Sequence, residues 1–162
     1  MKLKKVMSGG QTGADQAGLR AARRQGIDTG GWMPLGYLTE NGPDPALKEY
    51  GLLETKTDKY PPRTEANARD SDGTVRFAVN FNTPGERCTL KAIRWHAKPY
   101  FDVDLRKPPP VEQFCEWIVS NKIEVLNVAG NKESTCPGIG ALVEEYLLRA
   151  FTHLSEQETG HD

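Results

Sequence analysis

Apolar positions along the chain fall into short blocks that alternate between two spacings. Residues 3–7 form a compact apolar-rich run ending in Ser8-Gly9-Gly10, the pattern of a strand entering a turn. Directly after it, Ala14, Ala17, Gly18, Ala21 and Ala22 recur at helical spacing, with Arg20, Arg23 and Arg24 on the other side, and Gly26 ends the helix. Small residues on its inner face let such a helix lie close to a sheet. Residues 27–33 read as a second strand, interrupted by two glycines. Residues 34–62, dense in glycine and proline, show no period and are expected to form an irregular loop, a lid or an oligomer contact. Residues 63–70 predict a short helix, and the β-rich run 75–81 is the clearest strand signal. After Asn82-Thr83-Pro84-Gly85 the pattern predicts a helix to about His96 and a strand over 99–105. Pro108 to Pro110 lead into a helix carrying Phe114, Trp117 and Ile118 on one face. Residues 123–128 read as a buried strand, 129–137 as a loop, and Gly138 to about His153 as a closing helix.

This alternation of strands and helices predicts an α/β fold, a Rossmann-like three-layer sandwich with a mainly parallel sheet covered on both faces. Residues 1–154 are expected to make a single Rossmann-like ligand-binding domain, and 155–162 a frayed polar tail. Ligands in such sheets bind beyond the carboxyl ends of the strands. Loops 8–13, 81–85 and 129–138 are therefore expected to converge on one edge.

Composition narrows the picture. A chain of 162 residues can bury a core without staples. Cys88, Cys115 and Cys136 are odd in number and widely spaced, with no CxxC pair, so neither disulfides nor a metal site is expected and the compartment reads as reducing. A formal net charge of −1 argues against nucleic acid as a partner. No segment approaches the roughly 20 apolar residues of a membrane span. The basic start at Lys2, Lys4 and Lys5 lacks the apolar run of a signal peptide, which leaves a cytoplasmic protein as the expectation.

The strongest chemical signal is the turn Ser8-Gly9-Gly10-Gln11-Thr12-Gly13. Its glycines allow a sharp bend with amides turned outward, and the helix start adds unpaired N–H groups and a positive dipole end, a combination suited to phosphate. Ser8 and Thr12 can add hydroxyl donors, Asp15 can cap the helix or hold a ligand hydroxyl, and Gly10→Asp is expected to abolish binding while sparing the fold. The bland alternative is a tight strand-to-helix turn with Thr12 as the cap. The loop at 129–138 has the same physics, with Gly130 for backbone approach, Lys132 for charge, and Ser134 and Thr135 as donors; a solvated connector is its alternative reading. Arg63, at a helix start, could clamp a phosphate through its planar fork. Asn82 and Thr83 are candidate ligand contacts. Cys136 near a helix start is a candidate reactive thiol. No general-base pair or nucleophile constellation stands beside these loops in the sequence, so no catalytic residues are assigned.

Taken together, Ser-Gly-Gly-Gln-Thr-Gly-Ala-Asp at 8–15, Tyr60 with Arg63-Thr64 and Asn67, Ser71-Asp72-Gly73-Thr74, and Asn127-Val128-Ala129-Gly130 followed by Glu133-Ser134 and Pro137-Gly138-Ile139 resemble the molybdenum carrier family. That family is the circularly permuted YpsA-like branch of the SLOG Rossmann superfamily, and the likeness runs in order over about residues 5–150. The resemblance implies an oligomeric Rossmann-like carrier that binds the molybdenum cofactor (molybdopterin, a pterin dithiolene with a terminal phosphate) and protects it or delivers it to molybdoenzymes. Carried over by position, it implies Gly9, Gly10, Gln11, Thr12 and Gly13 as phosphate-binding residues, with Arg63, Lys132, Glu133 and Ser134 around the ligand. Asn131-Lys132 departs from the family's Pro-Arg pair, and Cys136 is unusual at its place.

The expected function is thus a non-catalytic carrier of a phosphate-bearing ligand. One alternative is a nucleotide-metabolising enzyme that cleaves nucleoside monophosphates at the glycosidic bond, with Glu145 in the stretch 137–145 as its acid. The other is a sensor of a nucleotide-derived signal that uses the same loops.

Overall fold

Why the central helix can sit so near the sheet is visible at one residue. A methyl group at Gly18 would lie 2.7 Å from the Val128 side chain, so only the missing side chain permits this spacing. The computed structural model, which describes residues 2–160, places Gly18 on α1 (Ala14–Arg24) and Val128 on β8 (Val125–Gly130). The remaining strands are β1 (Lys5–Ser8), β2 (Asp28–Met33), β3 (Leu38–Thr39), β4 (Gly42–Pro43), β5 (Leu52–Glu54), β6 (Gly73–Ala78) and β7 (Tyr100–Asp104). The remaining helices are α2 (Tyr60–Asp70), α3 (Pro84–Trp95), α4 (Val111–Ser120) and α5 (Ile139–Thr159).

The main sheet has the order β5-β2-β1-β8-β6-β7, and every pairing in it is parallel. Helices α1, α4 and α5 cover one face over a core that includes Val6, Phe77, Phe114, Val128 and Leu147. Helices α2 and α3 pack on each other on the opposite face, where Ala68, Ala92 and Ile93 meet. The chain is therefore an α/β three-layer Rossmann-like sandwich, as the pattern of elements implied. Among the described residues no helix is long and apolar enough to cross a membrane.

Four local expectations are corrected. Residues 34–62 are not one irregular loop: they hold the β3–β4 hairpin, a 3-10 helix at Pro45–Tyr50 and β5, which adds the edge strand beside β2. Leu19, Met33, Tyr37, Leu47 and Leu52 bury each other there in a second small core. Helix α2 starts at Tyr60 instead of Arg63, because prolines are well tolerated in a first helical turn. Strand β6 ends at Ala78, since the Val79 and Asn80 amides turn away to donate to Asn131 Oδ1. Helix α5 runs to Thr159, past the point where a frayed tail was expected.

Candidate functional site

The glycine turn after β1 is held from within. The buried Asp15 carboxylate accepts from the Gln11 amide at 3.2 Å and also from the Gly9 amide. The Gly10 amide donates to Ser8 Oγ, the Thr12 amide to Gln11 Oε1, and the Ala14 amide to the Asn131 carbonyl. Thr12 is not the helix cap: its hydroxyl donates to Glu40 and accepts from the Glu133 amide, while Gly13 takes the cap position. Gly13 is required there, because its φ is 80° and a methyl would lie 2.6 Å from the Asn131 carbonyl oxygen. The two glycine-containing loops thus lock onto each other.

The second loop is closed in the same way. Glu133 turns its carboxylate onto the Gly138 and Gly140 amides at the start of α5. Glu40 accepts from the Ser134 amide as well as from Thr12, which links the β3–β4 hairpin to both loops. Asn131 bolts the loop to β6 through its side chain and through its amide, which donates to the Phe77 carbonyl at 2.9 Å. The chain's own carboxylates therefore sit at both places where an anion was expected, and a phosphate at either must displace them.

Gly10 carries a further correction. Its φ is 72°, and a methyl there would lie 2.5 Å from the Met33 sulfur in the second core. Gly10→Asp is thus expected to destabilise the fold by roughly 1–3 kcal/mol, through overpacking and backbone strain. A lowered thermal midpoint checks this, and an unchanged one would show that Met33 gives way freely.

Beside the locked loops lies a cavity of about 470 Å³, within the size range of small-molecule sites. Gln11 and Asp15 form one wall, Tyr60, Arg63 and Thr64 of α2 another, Thr83 to Glu86 at the start of α3 a third, and Gly130 to Lys132 the fourth. The carboxyl ends of β1, β6 and β8 thus converge as expected, and the N-terminus of α2 joins them. Of the residues singled out in the sequence, Gln11, Asp15, Arg63, Thr83, Gly130, Lys132 and Thr135 line this cavity. Ser8, Gly9, Gly10, Thr12 and Gly13 lie behind it, while Asn82, Glu133 and Ser134 are not in its wall. Thr83 also caps α3 by accepting from the Glu86 amide at 3.2 Å. Cys136 packs against the main core instead.

Arg63 and Lys132 are the cations in the cavity wall, and Arg63 is the more closely held. Its guanidinium presses on Gly9, where a methyl would come within 2.7 Å of Nη1, and it leans over the Tyr60 ring with Cζ 5.2 Å from the centroid. Nη1 donates to Thr64 Oγ1, but the buried Nε has no partner.

Opposite stand two acids that the sequence reading did not place together. Asp15 is 5 % exposed and Glu86 is 2 % exposed. Burial pushes the Asp15 carboxyl up to about 6, against the pull of the Arg63 charge and its amide donors. Burial likewise pushes Glu86 up to about 7; the Arg76 and Arg63 charges oppose this, while the Asp15 and Asp102 charges add to it. The buried Arg76 guanidinium is itself taken by Asp102 through a two-pronged ion pair at 2.7 and 2.8 Å. The expectation that no acid pair stands beside the loops is therefore corrected. Thr83-Pro84-Gly85-Glu86 carries the capping-box signature, but only the Thr83 half forms. The other half would tie Glu86 to the Thr83 amide, whereas Glu86 Oε2 is buried without a partner. Among the described residues no group of three or more His, Cys, Asp or Glu could hold a metal ion.

Comparison with known proteins places this geometry in a family. Residues 6–151 match the model of the circularly permutated YpsA SLOG family. A similar solved structure is that of the "Putative molybdenum carrier protein" from Syntrophus aciditrophicus SB, at 37% sequence identity, covering 92% of this chain and 94% of that chain with a TM-score of 0.83. No curated protein matches significantly.

Proposed function

Since the chain belongs to the circularly permutated YpsA SLOG family, we propose that it is a carrier of a phosphate-bearing small molecule, the molybdenum cofactor (molybdopterin) first among them. The observation that carries the reading is Arg63 in the cavity wall, with a buried Nε that has no partner among the described residues. A buried cationic donor left unpaired costs free energy until a ligand supplies the acceptor. Lys132 in the same cavity wall adds to the attraction of an anion. The cofactor fits this donor set at its phosphate end. Molybdenum would be carried by the cofactor's own dithiolene sulfurs, with the protein holding the organic frame.

The rest of the proposal follows from the carrier role. The protein would act in the cytoplasm, assemble as a homo-oligomer and hand the cofactor to molybdoenzymes. Titration of purified protein with molybdopterin tests the core of it. Arg63→Met is expected to weaken binding by about 10- to 100-fold, the range for losing a charge-assisted hydrogen bond, with the thermal midpoint little changed. Saturable binding that is indifferent to Arg63 would remove the basis of the reading.

One observation favours a second reading, hydrolysis of a nucleoside monophosphate at its glycosidic bond. The Asp15 and Glu86 pair beside the cavity supplies two carboxyls poised for proton transfer near neutral pH. Glu145, the acid first considered for such a reaction, is exposed on α5 and absent from the cavity wall. Release of free base from AMP, lost in Glu86→Gln, would establish the enzyme.

A further inference from the structure

The cavity has a second unpaired atom that phosphate binding does not use. Glu86 is 2 % exposed and lines the cavity, and its buried Oε2 has no hydrogen-bond partner among the described residues. The helix start that should have engaged it leaves it free, because Thr83 caps α3 without a return bond. An acceptor shut off from water and left without a donor is costly. A cost of this kind at a cavity wall is recovered when a ligand supplies the donor.

The surroundings say what sort of donor. A carboxylate accepts two parallel N–H bonds best from a flat fork, the geometry of a ring N–H beside an exocyclic amine. No protein fork reaches Glu86 in this way. Arg76 from β6, whose charge acts on Glu86, gives two nitrogens to Asp102 of β7 and a third to the Glu86 carbonyl. Arg63 from α2 faces the same cavity but spends Nη1 on Thr64. Asp15 from α1 is a further acceptor, and Lys132 stands on the β8–α5 loop side.

We propose that Glu86 reads the heterocycle of the bound ligand, accepting paired N–H bonds from an amidine-type edge such as that of a 2-amino-4-oxopteridine. The inference rests on the proposed carrier function and adds to it a direction of binding. The phosphate end lies toward Arg63 and Lys132, and the amino-oxo edge lies toward the start of α3. It also adds a selectivity: rings with a carbonyl in place of the amine present an acceptor to an acceptor and are rejected. Binding of the N–H edge requires the ionised carboxylate, so affinity rises with pH until Glu86 is ionised.

Pterin and lumazine, which differ only in an amine or a carbonyl at position 2, are the probes, followed by their intrinsic fluorescence. The wild-type protein is expected to bind pterin at least about tenfold more tightly than lumazine, by the value of hydrogen bonds to a charged group. Pterin affinity is expected to rise by about tenfold between pH 5.5 and 7.5. Glu86→Gln is expected to erase both the preference and the pH dependence. The wild-type comparison stands even where the variant fails to fold. Equal affinity for the two rings, or no affinity for either while molybdopterin binds, overturns the role of Glu86 alone. Failure of molybdopterin itself to bind overturns the carrier reading with it.

Discussion

Replacing Gly130 by alanine is expected to cost roughly 3–5 kcal/mol, from overpacking and backbone strain together. Gly130 ends β8 with a φ of 153°, and a methyl there would lie 2.1 Å from the Phe77 carbonyl oxygen and 2.8 Å from the Ala14 side chain. Neither neighbour can yield. The Phe77 carbonyl accepts the Asn131 amide that fastens the loop, and Ala14 begins the helix packed on the same strand. Gly26→Ala is the control, because its φ is also positive at 71° but nothing lies within 4 Å of the added carbon. It is expected to cost about 1 kcal/mol, the strain alone. Urea denaturation of the two variants separates strain from collision, and equal losses would show that the crowding at Gly130 relaxes.

Raising the pH from about 4.5 to 8 is expected to destabilise the ligand-free protein, against the habit of most acid-sensitive folds. Asp15 and Glu86 ordinarily titrate at 3.8 and 4.5 but are pushed up to about 6 and about 7, chiefly by burial. Over that window the native state holds protons that the unfolded chain has released, so unfolding becomes easier as pH rises. Their contribution is fully present below about pH 4, is lost through about 6 and 7, and is flat above 8. Each raised carboxyl costs up to about 3 kcal/mol once ionised, with less for the pair because their charges are coupled. Glu86→Gln is expected to match the wild type near pH 4.5 and to exceed it at pH 8 by as much as about 3 kcal/mol. Thermal midpoints across this range check it, and parallel curves for the two proteins would refute the buried charge.

Most of the architecture was legible because it depends on local pattern. The small-residue face of α1 announced a helix pressed on a sheet, and Gly18 against Val128 is that contact. The apolar run 123–128 marked a strand covered on both sides, and β8 forms there, shifted by two residues to Val125–Gly130. What escaped was decided by distant partners. Strand β5 is three residues long with Leu53 56 % exposed, so it has no readable period, and only pairing with β2 makes it a strand. Val79 to Phe81 have strand composition, yet Asn131, some fifty residues on, draws the chain out of the sheet.

The candidate site divides along the same line. Arg63 and Lys132 were found as charges near predicted helix and loop starts, and both reach the cavity. The glycine turn was read as a phosphate cradle with Asp15 as a cap or a hydroxyl ligand, and the Asp15 carboxylate accepts an amide of the turn itself, at Gln11. Glu86 was not singled out, and nothing local marks it: Thr-x-x-Glu at a helix start is the pattern of a cap. That it lines a cavity instead depends on Gln11 and Asp15 and on Gly130 to Lys132, all far from it in the chain.

The sheet order has a consequence for how the molecule is made. Strand β8 lies between β1 and β6, so the last strand to be synthesised is one of the two at the centre. Until it emerges, β1 and β6 each expose an unpaired edge, the kind of surface on which nascent chains misassociate. The cavity cannot exist before then either, because Gly130 to Lys132 form one of its walls. A molecule with a complete cavity has therefore already closed its sheet, and a chain cut short before β8 has neither.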